Sequence, residues 1–353
     1  MKRKITISFI IICVAIISTP FILVNLRIKV DPLKENEKKI SLNFKRNFPL
    51  KSDLLKIYTN FKTNILNVNP IPNKVIETEN EWKFLGNNFS NALSESKGLV
   101  VFTKKELASL KKILILKKEW LKERNIAFYI AIAPNKHTIH SDMIKIKKYE
   151  RNTKLQQLDS LCKIIDVNFI NLGANFPKGN DTILYHKTDT HWNGYAGFYA
   201  YQSSMDFITR DFKKTIFGQY KLDNMESYVE DNKIGDLNNM LMNNKTEDFI
   251  HLKFKTPEKA IEQTDQLTVP IGYHNADRLY EKRFQNASSN NNLKILVFHD
   301  SFFPYYEKYF SETFNHSVFI WNHKFDKDVI EIEKPNILYH EIVERDIDVL
   351  LNR

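Results

Sequence analysis

The chain has 353 residues, of which 42% are hydrophobic and 12% aromatic, which excludes a disordered protein and supports a sizeable core. The formal net charge of +10 comes from lysines scattered singly and in pairs, so a solvated basic surface is favoured over a dedicated nucleic-acid interface. The 9 glycines form no nucleotide-binding GxGxxG or GxxxxGK[ST] loop, and the 2 cysteines exclude a disulfide framework and a cysteine metal site.

The amino terminus, residues 1–30, is predicted to be a transmembrane anchor. Residues 5–24 carry no charge, and a run of that length matches the hydrocarbon thickness of a bilayer. Lys2, Arg3 and Lys4 precede the run, so the positive-inside rule predicts a cytoplasmic amino end and an extracytoplasmic, periplasmic domain. A cleaved signal peptide is the alternative. The sequence stays apolar beyond Thr19-Pro20, which favours an uncleaved, single-pass anchor.

The rest of the chain is predicted to be a stalk, residues 31–75, and one domain, residues 76–353. The stalk has one short amphipathic helix at about 52–64. Thr103 and Glu106 have capping-box spacing and open a helix that ends near residue 123. Further helices are predicted at 154–164 and 194–209, with strands at 81–86, 126–132, 168–172, 293–298, 317–321 and 336–340. This alternation predicts an α/β fold in which helices cover both faces of a parallel sheet.

Residues 243–292 differ from their surroundings because they are polar, rich in asparagine and poorly periodic. They are predicted to form a long excursion between sheet strands. The excursion is read either as a mobile surface loop or as a lid over a site.

Ser301 follows the apolar strand at 293–298, so it is predicted to lie at the carboxyl edge of the sheet, where ligands bind in α/β folds. A serine hydroxyl becomes a nucleophile when an imidazole takes its proton and a carboxylate orients that imidazole. His191 and Asp189 are candidates for these two roles. Alternatively, Asp300-Ser301 is only a helix cap.

The segment that holds Asp189 and His191 has two other interpretations. With His186 it offers three metal ligands at short spacing. It could also be a turn with a satisfied polar cluster. The strand that later runs into Asp300-Ser301 favours the catalytic triad over both.

Two segments, Thr188-Asp189-Thr190-His191-Trp192 and His299-Asp300-Ser301-Phe302, resemble the alginate O-acetyltransferase family (AlgX/AlgJ type) of SGNH-hydrolase-like proteins. Four weaker matches follow in the family's order: the segment opening at Glu81-Trp82, Pro134-Asn135-Lys136, Gly235-Asp236-Leu237, and residues 335–345. The resemblance covers roughly residues 35–353. The chain departs from the SGNH pattern at His299, where a glycine usually precedes Asp-Ser.

The resemblance implies an SGNH-hydrolase-like, flavodoxin-like sheet in circularly permuted order, because the Asp/His pair precedes the serine. It implies that Ser301 is the nucleophile, His191 the base and Asp189 the residue that orients the base. Lys136 is a candidate for positioning substrate, with pairing to a surface acid as its alternative. Asn135 is the candidate for the asparagine of the oxyanion hole and so for substrate binding. Trp192 is a candidate for stacking on a sugar, with a place in the core as its alternative.

The implied activity is O-acetyl transfer onto a cell-surface or secreted polysaccharide, as in exopolysaccharide or alginate biosynthesis, with no cofactor or metal. A membrane-bound O-acyltransferase partner would supply acetyl groups from the cytoplasmic side. Two alternatives remain open. One is a carbohydrate esterase with the same triad, and the other is a non-catalytic subunit of a polysaccharide export complex.

Overall fold

A computed structural model describes residues 7, 9–15, 18–19, 51–144, 147–177, 183–218, 220–263 and 281–352. The chain divides into two compact units, Met1–Pro70 and Ile71–Arg353. In the first unit, the helix predicted at about 52–64 is observed as an α-helix, Lys51–Asn60, extended by one π-helical turn, Phe61–Ile65. The predicted anchor lies largely outside the described residues. Within them, no helix has the length and apolar character needed to cross a membrane.

The second unit is built on a seven-stranded sheet. Its strands are β3 (Ala127–Ala133), β4 (Asn168–Asn171), β7 (Ile261–Glu262), β8 (Glu281–Gln285), β9 (Lys294–His299), β10 (His316–Trp321) and β11 (Ile337–Val343). The strand order is β4-β3-β11-β9-β10-β8-β7. The first five strands are parallel, which confirms the predicted parallel sheet, and β8 and β7 add an antiparallel edge.

Alternate residues of the central strands face two separate hydrophobic cores, so both faces of the sheet are covered. In β9, Leu296 and Phe298 belong to one core and Ile295 and Val297 to the other. The first core is closed by the helices Lys104–Lys122, Lys154–Ile165 and Lys327–Glu333; the second is closed by Gly194–Asp211 and Glu307–Thr313. The predicted helices on both faces are therefore confirmed.

The predicted helix starts are also observed. Thr103 and Glu106 form the reciprocal capping box of the Lys104–Lys122 helix. At the start of the Gly194–Asp211 helix, the Asn193 side chain accepts hydrogen bonds from the backbone N–H groups of Tyr195 and Ala196. These local signals are readable from sequence because each cap satisfies backbone donors that the first helical turn leaves free.

The expectation of an irregular excursion at 243–292 is wrong in part. Residues 247–254 form β6 (Glu247–Phe254), which pairs with β5 (Met225–Lys233) in an antiparallel hairpin. Residues 281–285 form β8, whose Arg283 lies 2.7 Å from Glu281 and is also paired with Glu333. β8 lacks an apolar alternation because it buries charges as ion pairs. In β6, Ile250, Leu252 and Phe254 alternate with polar residues, so the sequence did carry a signal for this strand. Residues 264–280 lie outside the described residues.

A second hairpin, β1 (Val75–Glu77) and β2 (Lys83–Leu85), precedes the sheet and contains the predicted strand near Trp82. The β5–β6 hairpin lies against the start of the Gly194–Asp211 helix. A side chain at Gly194 would approach the backbone nitrogen of Leu252 to 2.6 Å, so only glycine allows this contact. The hairpin is thereby held beside the carboxyl end of the central strands.

Candidate active site

Ser301 lies in the turn that follows β9, at the carboxyl edge of the sheet, and is partly exposed. The carboxylate of Asp300 accepts hydrogen bonds from the backbone N–H groups of Phe302, at 2.9 Å, and Val343, at 2.7 Å. Asp300 thus pins the serine turn to the end of β11. The turn after Ser301, Phe303–Tyr305, has no side-chain cap, and the Ser301 hydroxyl is directed towards His191.

The Ser301 hydroxyl oxygen lies 2.7 Å from Nε2 of His191. On the other side of the ring, Nδ1 of His191 lies 2.7 Å from a carboxylate oxygen of Asp189. The structure therefore brings the three predicted residues into one hydrogen-bonded relay in the order hydroxyl, imidazole, carboxylate. This geometry suits general-base activation of a serine.

The Asp189 carboxylate is held in its charged form. Burial alone would raise the pKa of this carboxyl, but hydrogen bonds from the His191 ring and backbone and from the Asp236 backbone outweigh burial and lower the pKa to about 2. Asp189 is therefore ionised at neutral pH, as a group that stabilises an imidazolium must be.

Asp236 supports the Asp189 loop, a role that its place in the sequence does not indicate. Its backbone N–H donates to the second Asp189 oxygen at 2.8 Å, and its carboxylate accepts from the Thr190 N–H at 2.8 Å and from the Thr190 hydroxyl. The preceding Gly235 packs on the carbonyl of Thr188 so closely that no Cβ would fit. Burial and the nearby charge of Asp189 raise the pKa of Asp236.

Glu247 is a further support that sequence reasoning missed, because it opens β6 in the segment expected to be irregular. Its carboxylate accepts hydrogen bonds from the backbone N–H groups of Lys187, at 2.6 Å, and Thr188, at 2.7 Å. The Thr188 hydroxyl also donates to it at 2.7 Å. The β5–β6 hairpin therefore helps to shape the loop that carries the imidazole.

Lys136 lies beneath the same loop and is 4% exposed. Four backbone carbonyl oxygens share its three N–H groups: those of Lys83, His186 and Lys187 lie 2.6–2.8 Å from Nζ, and that of Asp189 lies 3.1 Å away. Burial lowers the pKa of Lys136 to about 7. The structure places this side chain as a support of the loop, so the expected contact between Lys136 and substrate is wrong.

The other two residues expected to touch substrate are buried. Trp192 has no exposed surface, and its indole N–H donates to the carbonyl of Phe302 at 3.1 Å. Its place in the core matches the alternative interpretation of the sequence. Asn135 is 2% exposed, its backbone N–H donates to Glu344 at 2.7 Å, and its side-chain amide has no hydrogen-bond partner among the described residues.

The side chains that could hold a metal in the structure differ from the set predicted from sequence. Among the described residues, the group whose ligand atoms lie within 4.8 Å of one another is Asp189, His191 and Asp236. His186 is not in this group, since its ring stacks on Phe249 with centroids 3.8 Å apart. The oxygens and the ring nitrogen of that group already hydrogen-bond each other and the loop, which is the arrangement of a proton relay.

A donor for a developing oxyanion is present at the nucleophile itself. Within the described part of the chain, the backbone N–H of Ser301 has no hydrogen-bond partner. Backbone N–H groups beside the nucleophile stabilise the tetrahedral oxyanion in acyl transfer. The guanidinium of Arg345, which follows β11, lies 5.4 Å from the centroid of the neighbouring Phe302 ring and adds positive charge to this edge.

Solved structures share this fold across most of the chain. The structure of Bacillus cereus PatB1 is 20% identical, with a TM-score of 0.57, and the match covers 79% of this chain and 98% of PatB1. The structure of PatB1 with a sulfonyl adduct is 19% identical with a TM-score of 0.56, covering 79% and 99%. A DHHW family protein from Eubacterium siraeum is 12% identical with a TM-score of 0.53, covering 79% and 94%.

No curated protein sequence matches the chain. A family model described as "SGNH hydrolase-like domain, acetyltransferase AlgX" matches residues 75–283, more than half of the chain. The matched segment contains Asp189 and His191 and ends before Ser301, which the fold brings to them. The chain therefore belongs to the AlgX family of SGNH-hydrolase-like acetyltransferase domains.

Proposed function

We propose that this protein is an extracytoplasmic O-acetyltransferase that carries acetyl groups on Ser301 and passes them to hydroxyls of a cell-surface or secreted polysaccharide. The observation that carries the proposal is the relay of Ser301, His191 and Asp189, with both links at 2.7 Å. Membership of an acetyltransferase family supports the choice of acyl group.

The first half-reaction loads the serine. His191 Nε2 takes the hydroxyl proton of Ser301, and the Ser301 oxygen attacks the acetyl carbonyl carbon of the donor ester. The Ser301 N–H donates to the resulting oxyanion. The bond to the leaving group then breaks, and the leaving oxygen takes the proton from His191. Asp189, ionised at neutral pH, stabilises the imidazolium throughout.

The second half-reaction releases the acetyl group. His191 removes a proton from a sugar hydroxyl, which attacks the acetyl-Ser301 carbonyl. As the tetrahedral intermediate collapses, the serine oxygen leaves and recovers its proton from His191. Atoms and charges balance without a metal or cofactor in either half-reaction.

The setting of the reaction is part of the proposal. The uncharged run at residues 5–24, after Lys2, Arg3 and Lys4, supports a membrane anchor with the domain outside the cytoplasm. Acetyl-CoA is a cytoplasmic donor, so a membrane-bound O-acyltransferase partner would hand acetyl groups across the membrane.

A carbohydrate esterase is the second candidate, and one observation favours it. The His191 side chain is 22% exposed and Ser301 is partly exposed, so water can reach the acetyl-serine. Esterase and transferase differ only in whether water or a sugar hydroxyl accepts the acetyl group.

The test uses the purified full-length protein and 4-nitrophenyl acetate. Mass spectrometry of the peptide that contains Ser301 should show the increment of one acetyl group, and an arylsulfonyl fluoride should block its formation. Ser301→Ala should give neither adduct. If cells that produce this variant still acetylate their polysaccharide normally, the non-catalytic subunit is favoured instead. If the rate of acetate release stays the same when an oligosaccharide is added, and no acetylated sugar forms, the esterase is favoured.

A further inference from the structure

Four aromatic rings form a continuous series from the exposed β5–β6 hairpin to the relay. Tyr228 and His251 have centroids 5.2 Å apart with planes at 23°, and His251 and Tyr305 are 6.3 Å apart at 13°. Tyr305 and His191 follow at 6.1 Å and 21°. We call these four near-parallel rings the ring ladder.

The outer rung of the ladder is open to solvent. Tyr228 is 44% exposed, and His251 and Tyr305 are partly exposed. Tyr228 lies directly opposite His251 in the hairpin register, so both side chains leave the same face of the hairpin. Val229, the next residue along β5, is 51% exposed and points to the other face.

The hairpin that carries the two outer rings is held in place. Gly194 packs against the backbone of His251 and Leu252, and the Lys308 ammonium donates to the Leu252 carbonyl. The Glu230 carboxylate lies 3.3 Å from His251 Nε2. The ladder is thus a preformed surface that ends at the catalytic imidazole.

We infer that the ring ladder binds sugar rings of the polysaccharide acceptor and leads an acceptor hydroxyl to His191. This inference rests on the proposed function and deepens it by naming the acceptor surface. One face of a pyranose ring presents C–H groups, whose positive edges complement the negative face of an aromatic ring. Glu226 and Glu230 lie on the same hairpin face and are paired with Lys253 and Lys233. Their remaining lone pairs, and the Lys253 ammonium 5.9 Å from the Tyr228 ring centroid, can bind sugar hydroxyls.

The position of the ladder argues for an acceptor and not for a donor site. An acceptor hydroxyl has to arrive within hydrogen-bond reach of His191 Nε2 after Ser301 has been acetylated. The ladder approaches His191 from solvent, and its outer rungs lie on a hairpin of nine- and eight-residue strands. A polymer needs such an extended surface, whereas a small acetyl ester does not.

The experiment measures how acetyl-Ser301 partitions between sugar and water in the full-length protein. The donor is 4-nitrophenyl acetate, and the acceptors are cellopentaose, chitopentaose and pentamannuronate. Replacing an aromatic ring by a methyl group removes one stacking contact, so Tyr228→Ala should lower the ratio of transfer to hydrolysis roughly two- to tenfold. Tyr228→Trp should restore it.

Val229→Ala is the matched control, since it changes the same strand on the opposite face and should keep the wild-type ratio. A wild-type ratio in both Tyr228→Ala and His251→Ala would overturn the inference. So would an equal loss in Val229→Ala, because the effect would then reflect hairpin stability.

Failure of the proposed function gives a different result, namely no acetyl adduct on Ser301. In that case, calorimetric titration with the same three oligosaccharides tests independently whether the ring ladder binds sugar. Binding that weakens in Tyr228→Ala but not in Val229→Ala supports it. Absence of binding to the wild-type protein, or of transfer to any of the three despite an acetylated Ser301, contradicts it.

Discussion

The indole N–H of Trp192 donates to the carbonyl of Phe302 at 3.1 Å, which ties the residue after the base directly to the residue after the nucleophile. The two loops are 110 positions apart in sequence. Trp192 has no exposed surface, and its ring packs edge-on against Phe302 with centroids 5.1 Å apart. The relative position of the Ser301 hydroxyl and the His191 imidazole therefore depends on core packing as well as on the hydrogen bonds of the triad.

Replacing this link should cost stability. Trp192→Phe keeps an aromatic ring but leaves the Phe302 carbonyl without its donor, so we expect the free energy of unfolding to fall by about 1–3 kcal/mol. Urea denaturation measures it. Trp321→Phe, at a tryptophan that is 41% exposed, is the control and should change stability far less. Equal losses in the two variants would argue against the special role of the buried link.

Asp189→Asn should reduce kcat by about 10³–10⁴-fold, because an amide in this place no longer favours the tautomer that leaves Nε2 free to accept a proton. Steady-state hydrolysis of 4-nitrophenyl acetate measures the effect. A chelator should leave wild-type activity unchanged if the cluster of Asp189, His191 and Asp236 works as a relay. Strong inhibition by the chelator would restore the metal-site interpretation.

Asp189 should also contribute to acid sensitivity. Its pKa is about 2 in the folded protein against an ordinary value of 3.8, so the unfolded chain takes up the proton first as pH falls. The stabilisation is complete above pH about 4 and disappears towards pH about 2. Asp236, whose pKa is raised, acts with the opposite sign. Urea denaturation should show the wild type losing its advantage over Asp189→Asn across this range, and a constant difference would refute the assignment.

Asp236→Ala should lower kcat by about 10²-fold without touching a reacting atom. The substitution removes the acceptor for the Thr190 N–H and hydroxyl, and a small displacement of a catalytic group costs that much. Asp231→Ala, in the exposed part of β5, is the matched control. The predicted effect is on kcat with acetyl-serine formation slowed in proportion; a change confined to KM would contradict a positioning role.

Much of the sheet and the Asp189/His191 pair could be predicted from sequence because the signals are local, whereas joining Ser301 to that pair across 110 positions rested on residue types and the family resemblance. Thr103 and Glu106 sit three residues apart, and β9 is a continuous apolar run that leads into Ser301. Asp189 and His191 are two residues apart on one loop. Such short-range patterns can be recognised in the sequence without knowledge of the tertiary structure.

The residues that sequence reasoning missed act over long distances along the chain. The Glu247 carboxylate accepts hydrogen bonds from the backbone of Lys187 and Thr188, about 60 positions earlier in the sequence. The Asp236 backbone donates to Asp189, which lies 47 positions earlier. Neither pairing leaves a periodic pattern. Lys136 was noticed but given the wrong surroundings, because nothing near it in sequence indicates that four backbone carbonyls converge on its ammonium.

The central position of β11 has a consequence for biosynthesis. This strand lies between β3 and β9 in the sheet. At its end, the Val343 N–H donates a hydrogen bond to the Asp300 carboxylate beside the nucleophile. A nascent chain still lacking that strand on the ribosome cannot fix the serine turn, however completely its earlier segments have folded. Acyl-transfer competence should therefore appear only once β11 has been synthesised and paired, so that shorter chains stay inert.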